Sequence, residues 1–252
     1  MVTTWVLLRG LGRGSAHWGA FPAQFQAEFP QARLVLPDLP GNGARHRERS
    51  PACVAELVED LRSSLQLQGL APPYHLLALS LGAMVAADWA CRYPRELAAA
   101  VLLNTSLRPF SPPHHRLRPG ALARLATRPV LGLEARERAV LALTSRLARD
   151  PAATLARWVR LQRNQPVAGP NLLRQLLAAA LYRAPPNPPP VPLLLLAGRR
   201  DALVDPRCSR ALARRWQVAL VEHALAGHDL PLDDGEWVAR QVRHWLAGTT
   251  PT

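Results

Sequence analysis

The chain has 252 residues, of which 48% are hydrophobic, so it is long and apolar enough to bury the core of one large domain. No apolar run approaches the roughly 20 residues of a membrane-spanning helix, and the N-terminus lacks the basic and apolar segments of a signal peptide. The three cysteines are widely spaced and give neither a metal-ligand pair nor a disulfide framework. We therefore expect a cytoplasmic protein with reduced thiols and no structural metal.

The formal net charge is +13, and its distribution along the chain is uneven. From residue 107 to residue 190, 14 arginines stand against 3 acidic residues, whereas the rest of the chain is nearly balanced. A surface of one sign attracts anionic partners. This segment is therefore a candidate docking surface for an anionic ligand, with an ordinary solvated arginine-rich surface as the alternative. Its aromatic residues lie too far apart to form a base-stacking platform, so we expect no nucleic-acid binding.

Short apolar strands alternate with helices in the first hundred residues. The predicted strands are Thr4–Leu8, Arg33–Leu36, Tyr74–Leu79 and Leu97–Leu103, and the predicted helices are Trp18–Phe29, Val54–Gln68 and Leu81–Tyr93. This alternation predicts an α/β fold with a mostly parallel central sheet and helices on both faces.

The alternation stops at residue 107 and resumes after the proline tract at 185–190, which is typical of a stiff linker. The later predicted elements are the strand Val191–Ala197, the helix Pro206–Trp216, the strand Val218–Leu225 and the helix Glu236–Leu246. We therefore expect an α/β core formed by residues 1–106 and 191–252. A helical, arginine-rich insertion at 107–190 interrupts it.

Ser80 stands where the third predicted strand meets a helix, with the small residues Ala78 and Gly82 two positions to either side. A sharp strand–turn–helix junction raises a serine hydroxyl above the sheet and needs small neighbours. The start of the helix supplies free N–H groups that favour a developing oxyanion. A serine that only caps the helix is the alternative. The buried strand before it favours a nucleophile.

A serine nucleophile needs a general base and an acid that orients the base. At a junction of this type the chain order is serine, acid, histidine. Asp201 follows the strand after the proline tract, and Asp205, which precedes a proline, competes with it but is well placed to cap a helix. His228 lies in a loop after the last strand. We therefore predict Ser80 as nucleophile, His228 as general base and Asp201 as the orienting acid.

Five segments occur in an order that resembles the α/β-hydrolase superfamily over nearly the whole chain. They are Arg9-Gly10-Leu11-Gly12 with Trp18 beyond it, Asp38-Leu39-Pro40-Gly41-Asn42-Gly43, the Ser80 junction, Gly198 to Asp201, and Gly227-His228. Within the superfamily the chain looks most similar to the pimeloyl-[acyl-carrier protein] methyl ester esterases of biotin synthesis. It departs from the usual pattern at two places: Arg9 replaces a histidine, and Ala78 replaces a glycine.

The resemblance implies further site residues. The backbone N–H groups of Leu11 and Leu81 would form the oxyanion hole, and the insertion would form a cap over the active site. Val140 and Leu143 of that cap would face the acyl chain, with an ordinary amphipathic helix as the alternative. Trp18 would either line the pocket or anchor the first helix by packing in the core.

The resemblance implies a serine esterase that cleaves a carboxylic ester through an acyl-enzyme and needs no cofactor. The substrate would be a small-molecule ester, or an acyl group on an acidic acyl-carrier protein that docks on the basic cap. The same triad also serves thioesterases, carbon–carbon hydrolases and lyases, and the fold alone does not separate these reactions. A non-catalytic ligand receptor of the same fold is the remaining alternative.

Overall fold

The structure, a computed structural model, describes residues 3–126 and 132–249. Within these residues, six strands form one sheet in the order β2-β1-β3-β4-β5-β6, and every neighbouring pair is parallel. The strands are β1 (Thr4–Leu8), β2 (Arg33–Val35), β3 (Tyr74–Leu79), β4 (Leu97–Leu103), β5 (Leu193–Gly198) and β6 (Ala219–His223). The predicted α/β fold with a parallel central sheet is confirmed.

Five helices belong to the part of the chain that carries the sheet. They are α1 (Phe21–Glu28), α2 (Val54–Leu67), α3 (Leu81–Arg92), α9 (Arg207–Trp216) and α10 (Leu230–Thr249). The predicted helix Trp18–Phe29 is in fact two pieces, because Gly19 has a φ of 59° and separates a 3₁₀ turn from α1. The last helix begins earlier than the sequence predicts and is kinked at Asp234.

The central strands β1, β3, β4 and β5 are buried on both faces, which explains why they are mainly apolar, whereas the edge strands β2 and β6 are partly exposed. Leu76 and Ala78 of β3 point to the side covered by α2 and α3, where Trp89 and Trp216 are the largest side chains. Leu77 and Leu79 point to the other side, where α1 and α10 pack. The alternation of side chains along one strand thus supplies two separate cores.

Between β4 and β5 the described residues are mainly helical, and we call the predicted insertion, residues 107–190, the insert. Its helices are α4 (Pro113–Arg116), α5 (Pro119–Ala126), α6 (Leu133–Thr144), α7 (Pro151–Asn164) and α8 (Gly169–Leu181), and residues 127–131 of the predicted insertion lie outside the described residues. Backbone hydrogen bonds join the insert to the core, from Arg118 N–H to Leu203 and from Asp229 N–H to Thr144. Over the described ranges, no helix is both long and apolar enough to cross a membrane.

The junction between β3 and α3 is tight. Ser80 adopts the unusual backbone angles φ 58° and ψ −114°. A Cβ atom on Gly82 would lie only 2.6 Å from the carbonyl oxygen of Arg9 and 2.7 Å from that of Leu8. Glycine at this position therefore lets the first turn of α3 pack directly against the end of β1.

We expect Gly82→Ala to lower the free energy of unfolding by about 1–3 kcal/mol, because the added methyl group has to push α3 away from rigid backbone. The matched control is Gly248→Ala in α10, where an added Cβ would meet no atom within 4 Å. That change should stabilise the protein slightly through helix propensity. Urea denaturation measures both effects, and equal effects of the two changes would contradict this account of the junction.

Candidate active site

The residues predicted to carry the chemistry follow the carboxyl ends of different strands. Ser80 directly follows β3, Asp201 comes three residues after β5, and His228 lies in the loop after β6. The segment 9–14 follows β1 in the same way. Parallel strands bring their carboxyl ends to one edge of the sheet, which is where open α/β folds bind ligands.

Asp201 and His228 are joined by a short hydrogen bond of 2.6 Å between Oδ2 of the carboxylate and Nδ1 of the imidazole. The other carboxylate oxygen accepts hydrogen bonds from the backbone N–H groups of Leu203, at 2.7 Å, and Val204, at 2.8 Å. Both side chains of the pair are buried. Because the carboxylate only accepts, Nδ1 carries the proton, which leaves Nε2 free to act as a base.

Asp205, the competing acid, has a different role. Its carboxylate accepts from the backbone N–H of Arg207, at 2.9 Å, and forms ion pairs with the side chains of Arg207 and Arg118. The hydrogen bond from the Arg207 side chain holds the pKa of Asp205 below its usual range. Asp205 therefore binds the first residue of α9 and makes no described hydrogen bond to His228.

Ser80 and His228 both line one large cavity at the carboxyl edge of the sheet. No hydrogen bond joins the Ser80 hydroxyl to His228 among the described residues; such catalytic bonds are often long without substrate and shorten when it binds. Leu11 and Leu81 line the same cavity. In the described part of the chain, neither of their backbone N–H groups donates to another residue, so both donors are free for a ligand.

Asn104 is a positioning residue that sequence reasoning missed. It follows β4 with a φ of 43°, and its side chain donates hydrogen bonds to the carbonyl oxygens of Gly227, at 3.0 Å, and His228, at 2.6 Å. Its Oδ1 accepts from the N–H of Gly198 at 2.8 Å. One side chain thus links β4, β5 and the histidine loop. The sequence offers only a weak signal for this role, which is that asparagine adopts left-handed backbone angles more readily than most residues.

Arg9, at the position where the resemblance leads us to expect a histidine, forms a buried ion pair with Asp229. Its two terminal nitrogens lie 3.1 and 2.6 Å from the two carboxylate oxygens. The guanidinium group also lies over the ring of Trp18, 4.7 Å from its centre. The pair therefore ties the segment after β1 to the residue next to His228. Trp18 is buried in the core against Phe21 and is not part of the described cavity wall.

Arg13 links the same segment to the helical insert. Its guanidinium group forms a buried ion pair of 2.6 Å with Glu137 of α6 and lies 4.3 Å from the ring centre of Trp158 on α7. It also lies 3.2 Å from Nε2 of His17. Burial, together with the nearby charge of Arg13, lowers the pKa of His17 to about 2, so this histidine stays neutral and accepts the hydrogen bond.

The cavity lies between the sheet edge and the insert and has a volume of about 1480 Å³. Most of its wall is apolar, and Val140 and Leu143 of α6, both predicted from the resemblance, belong to it. Arginines at the rim include the exposed Arg108 and Arg183. Within the described ranges, no three histidine, cysteine, aspartate or glutamate side chains are clustered as metal ligands. The cavity can hold a large apolar group beside Ser80.

A parallel sheet with a serine at a strand–helix junction and a histidine–aspartate pair after later strands defines an α/β hydrolase. The sequence matches the alpha/beta hydrolase family over residues 5–241, so the chain belongs to this family. The resemblance recognised in the sequence is confirmed.

Two relatives carry the same name, pimeloyl-[acyl-carrier protein] methyl ester esterase. The one from Methylococcus capsulatus is 31% identical over 254 residues, which cover 97% of this chain and 94% of the relative. The one from Aromatoleum aromaticum is 30% identical over 237 residues, with coverages of 94% and 84%. An esterase from Thermogutta terrifontis has a similar fold, with a TM-score of 0.74, 23% identity and coverages of 98% and 90%.

We expect Arg9→Met to lower the free energy of unfolding by about 3–5 kcal/mol, because it leaves the charge of Asp229 buried and unpaired. The double variant Arg9→Met, Asp229→Met removes both charges and should recover a large part of that loss. Urea denaturation of the two variants and the parent measures this. A double variant no more stable than Arg9→Met would show that the ion pair is not the source of the effect.

Proposed function

We propose that the protein is a serine hydrolase that cleaves carboxylic esters with Ser80 as nucleophile, His228 as general base and Asp201 as orienting acid. The observation that carries the proposal is the 2.6 Å hydrogen bond between Asp201 and Nδ1 of His228, because it makes Nε2 the basic nitrogen of a neutral imidazole that lines the same cavity as Ser80. The esterase names of its relatives support the same reaction class. The chain is accordingly a carboxylic ester hydrolase.

In the first half of the reaction, His228 Nε2 takes the proton from the Ser80 hydroxyl as its oxygen attacks the ester carbonyl. Asp201 stabilises the imidazolium that forms. The negative oxygen of the tetrahedral intermediate accepts hydrogen bonds from the free N–H groups of Leu11 and Leu81. The intermediate collapses, His228 returns the proton to the departing alkoxide, and an alcohol leaves the acyl-enzyme.

In the second half, His228 removes a proton from water, whose oxygen attacks the acyl carbonyl on Ser80. The same two N–H groups stabilise the second tetrahedral intermediate. Its collapse breaks the bond to Ser80, and His228 gives the proton back to the serine oxygen. The carboxylic acid is released, and the enzyme returns to its starting state without a cofactor.

The cavity and the charge of the insert support a substrate with a long acyl chain and an anionic carrier. The wall beside Ser80 is mainly apolar and includes Met84, Val140 and Leu143, which suits an acyl chain. The exposed rim residues Arg108 and Arg183 carry positive charge at the opening. In the proposed function, the insert is a cap that an acidic acyl-carrier protein meets through such arginines.

A cytoplasmic location is part of the proposal. The three cysteines, Cys53, Cys91 and Cys208, are unpaired in the structure. Burial raises the pKa of Cys91 and of Cys208 to about 11, which keeps both as unreactive thiols. Unpaired thiols are typical of proteins in a reducing compartment.

We expect Ser80→Ala to lower kcat for p-nitrophenyl esters by about 10⁴-fold or more, because it removes the nucleophile. The variant should also lose labelling by a fluorophosphonate probe. The control is Ser63→Ala, the same chemical change on the exposed side of α2. The measurement uses a series of esters with increasing acyl length. Unchanged turnover in Ser80→Ala would end the proposal, and a parent protein that neither reacts nor labels would favour a ligand receptor.

We expect the methyl ester of an acyl-carrier protein conjugate to react with a lower KM than a free methyl ester of equal acyl length, and the advantage should shrink as salt rises. The double variant Arg108→Glu, Arg183→Glu should raise KM for the carrier-bound ester by about tenfold, or about 1.4 kcal/mol. KM for the free ester should change little.

The control for that variant is Arg214→Glu, Arg215→Glu on α9, which makes the same change of charge at exposed residues outside the cavity wall. It should leave both KM values within about twofold. If the carrier-bound ester reacts no better than the free ester, the proposed docking role of the insert is contradicted, while the proposal that the protein hydrolyses esters is unaffected.

A further inference from the structure

Gln175 of α8 reaches from the insert into the loops of the core. Its side chain is fully buried, and its Oε1 accepts a hydrogen bond of 2.8 Å from the backbone N–H of Gly12. Its Nε2 donates to Oδ1 of Asn42, at 3.0 Å, and to the carbonyl oxygen of Pro40, at 3.4 Å. One amide side chain therefore connects the insert with two separate loops beside the sheet edge.

The contact to Gly12 falls within a tight turn that contains Leu11. The turn runs from Gly10 to Arg13, and the N–H of Arg13 donates to the carbonyl oxygen of Gly10 at 3.3 Å. Gly12 has a φ of 66°. A positive φ at the third residue alone is the mark of a type II turn, which differs from type I mainly by a flip of the central peptide group. The bond from Gly12 to Gln175 holds that peptide group in the type II orientation.

The position of this turn determines the position of the Leu11 N–H group. That N–H belongs to the same planar peptide group as the Gly10 carbonyl, which closes the turn. Gly10 itself packs against the catalytic serine, since a Cβ atom on it would lie 3.1 Å from Cβ of Ser80. A flip of the central peptide alone leaves the Gly10–Leu11 peptide group in place, but loss of the bond at Gly12 would let the whole turn shift, and the N–H of Leu11 would shift with it relative to Ser80.

The same helix also forms part of the cavity wall. Leu172 and Leu176 of α8 line the cavity, and a Cβ atom on Gly12 would lie 3.2 Å from Cδ1 of Leu172. One turn before Gln175, Asn171 anchors α8 to the core independently, with hydrogen bonds to Ser50 N–H, at 3.0 Å, and to the carbonyl oxygen of Glu48, at 2.8 Å. The packing of α8 against the core therefore does not depend on Gln175 alone.

We infer that Gln175 is a positioning residue for the oxyanion hole: it holds the turn at 10–13 so that the Leu11 N–H faces the reacting carbonyl. The inference rests on the proposed function and adds a role for the insert in the chemical step itself. An interaction that acts only on the transition state changes kcat and leaves KM nearly constant. A misplacement of about 1 Å at such a site can cost about 100-fold in rate.

The test compares the parent enzyme with Gln175→Met and Gln175→Leu, which keep the size of the side chain and remove its hydrogen bonds. Active sites are counted by fluorophosphonate labelling to completion, and kcat and KM are measured per labelled site on a p-nitrophenyl ester. We expect kcat to fall by about 10–100-fold while KM stays within about threefold. Thermal denaturation of each variant reports its stability.

The control is Gln26→Met on α1. Gln26 also donates several hydrogen bonds to backbone carbonyls, those of Phe29, Pro30 and Ala32, but it is not part of the described cavity wall. This variant should lose stability and keep kcat within about twofold of the parent. It separates the loss of a structural amide from the loss of the contact to Gly12.

Gln175→Glu tests the particular contact and stays informative even if both apolar variants fail to fold. Its carboxylate keeps an acceptor for Gly12, and Asn42, whose buried Nδ2 has no partner among the described residues, can turn its amide to donate to it. We expect kcat within about fivefold of the parent.

Three results would overturn the inference. The first is a kcat per labelled site that is unchanged in the apolar variants while their stability falls. The second is a rise in KM at constant kcat, which would mean that Gln175 contributes to substrate binding and not to the chemical step. The third is a loss in Gln175→Glu as large as in the apolar variants, which would assign the effect to the contacts with Pro40 and Asn42. A parent enzyme without ester turnover would remove the proposed function and this inference together.

Discussion

The hydrogen bond between Asp201 and His228 is the constraint on which the candidate active site depends. A buried carboxylate needs all of its acceptor positions filled. One oxygen of Asp201 is filled by two backbone N–H groups, which leaves the other for the imidazole. This arrangement fixes the tautomer and the direction of the ring at once. The rest of the edge of the sheet serves to keep the loop of His228 where this bond can form.

The helical insert takes part in holding that loop. Asp233, at the start of α10, accepts hydrogen bonds from the Ser145 hydroxyl and from the N–H groups of Arg146 and Leu147, all in the insert. Its other oxygen accepts from Gly227 N–H at 2.6 Å, next to the histidine. Insert and histidine loop therefore share one carboxylate. A structural change at this end of the insert would therefore act directly on the loop of His228.

The sequence predicts the elements and the chemistry that depend on local pattern. Apolar strands such as Leu97–Leu103, and Ser80 with its small neighbours Ala78 and Gly82, are visible without a structure, because burial and turn geometry act on near neighbours. The contacts of Asn104, Gln175 and Arg9 are not visible in this way. Each joins segments more than 70 residues apart through polar atoms that have no periodicity, so only the folded chain reveals them. The break between the 3₁₀ turn and α1 at Gly19 is only partly predictable from the sequence, since a glycine permits a positive φ without requiring it.

Two buried ion pairs flank the turn that holds Leu11, and both carry a cost. Arg9 with Asp229 and Arg13 with Glu137 remove four charges from water, and well-packed apolar residues often give equal or greater stability at such places. Apolar contacts, however, tolerate sliding and rotation, whereas a bidentate guanidinium–carboxylate pair such as Arg9 with Asp229 fixes direction as well as distance. A site that stabilises charge on one carbonyl oxygen needs its donors aimed before the substrate arrives. The buried charges therefore make physical sense as a means of orienting the turn, at some expense in stability.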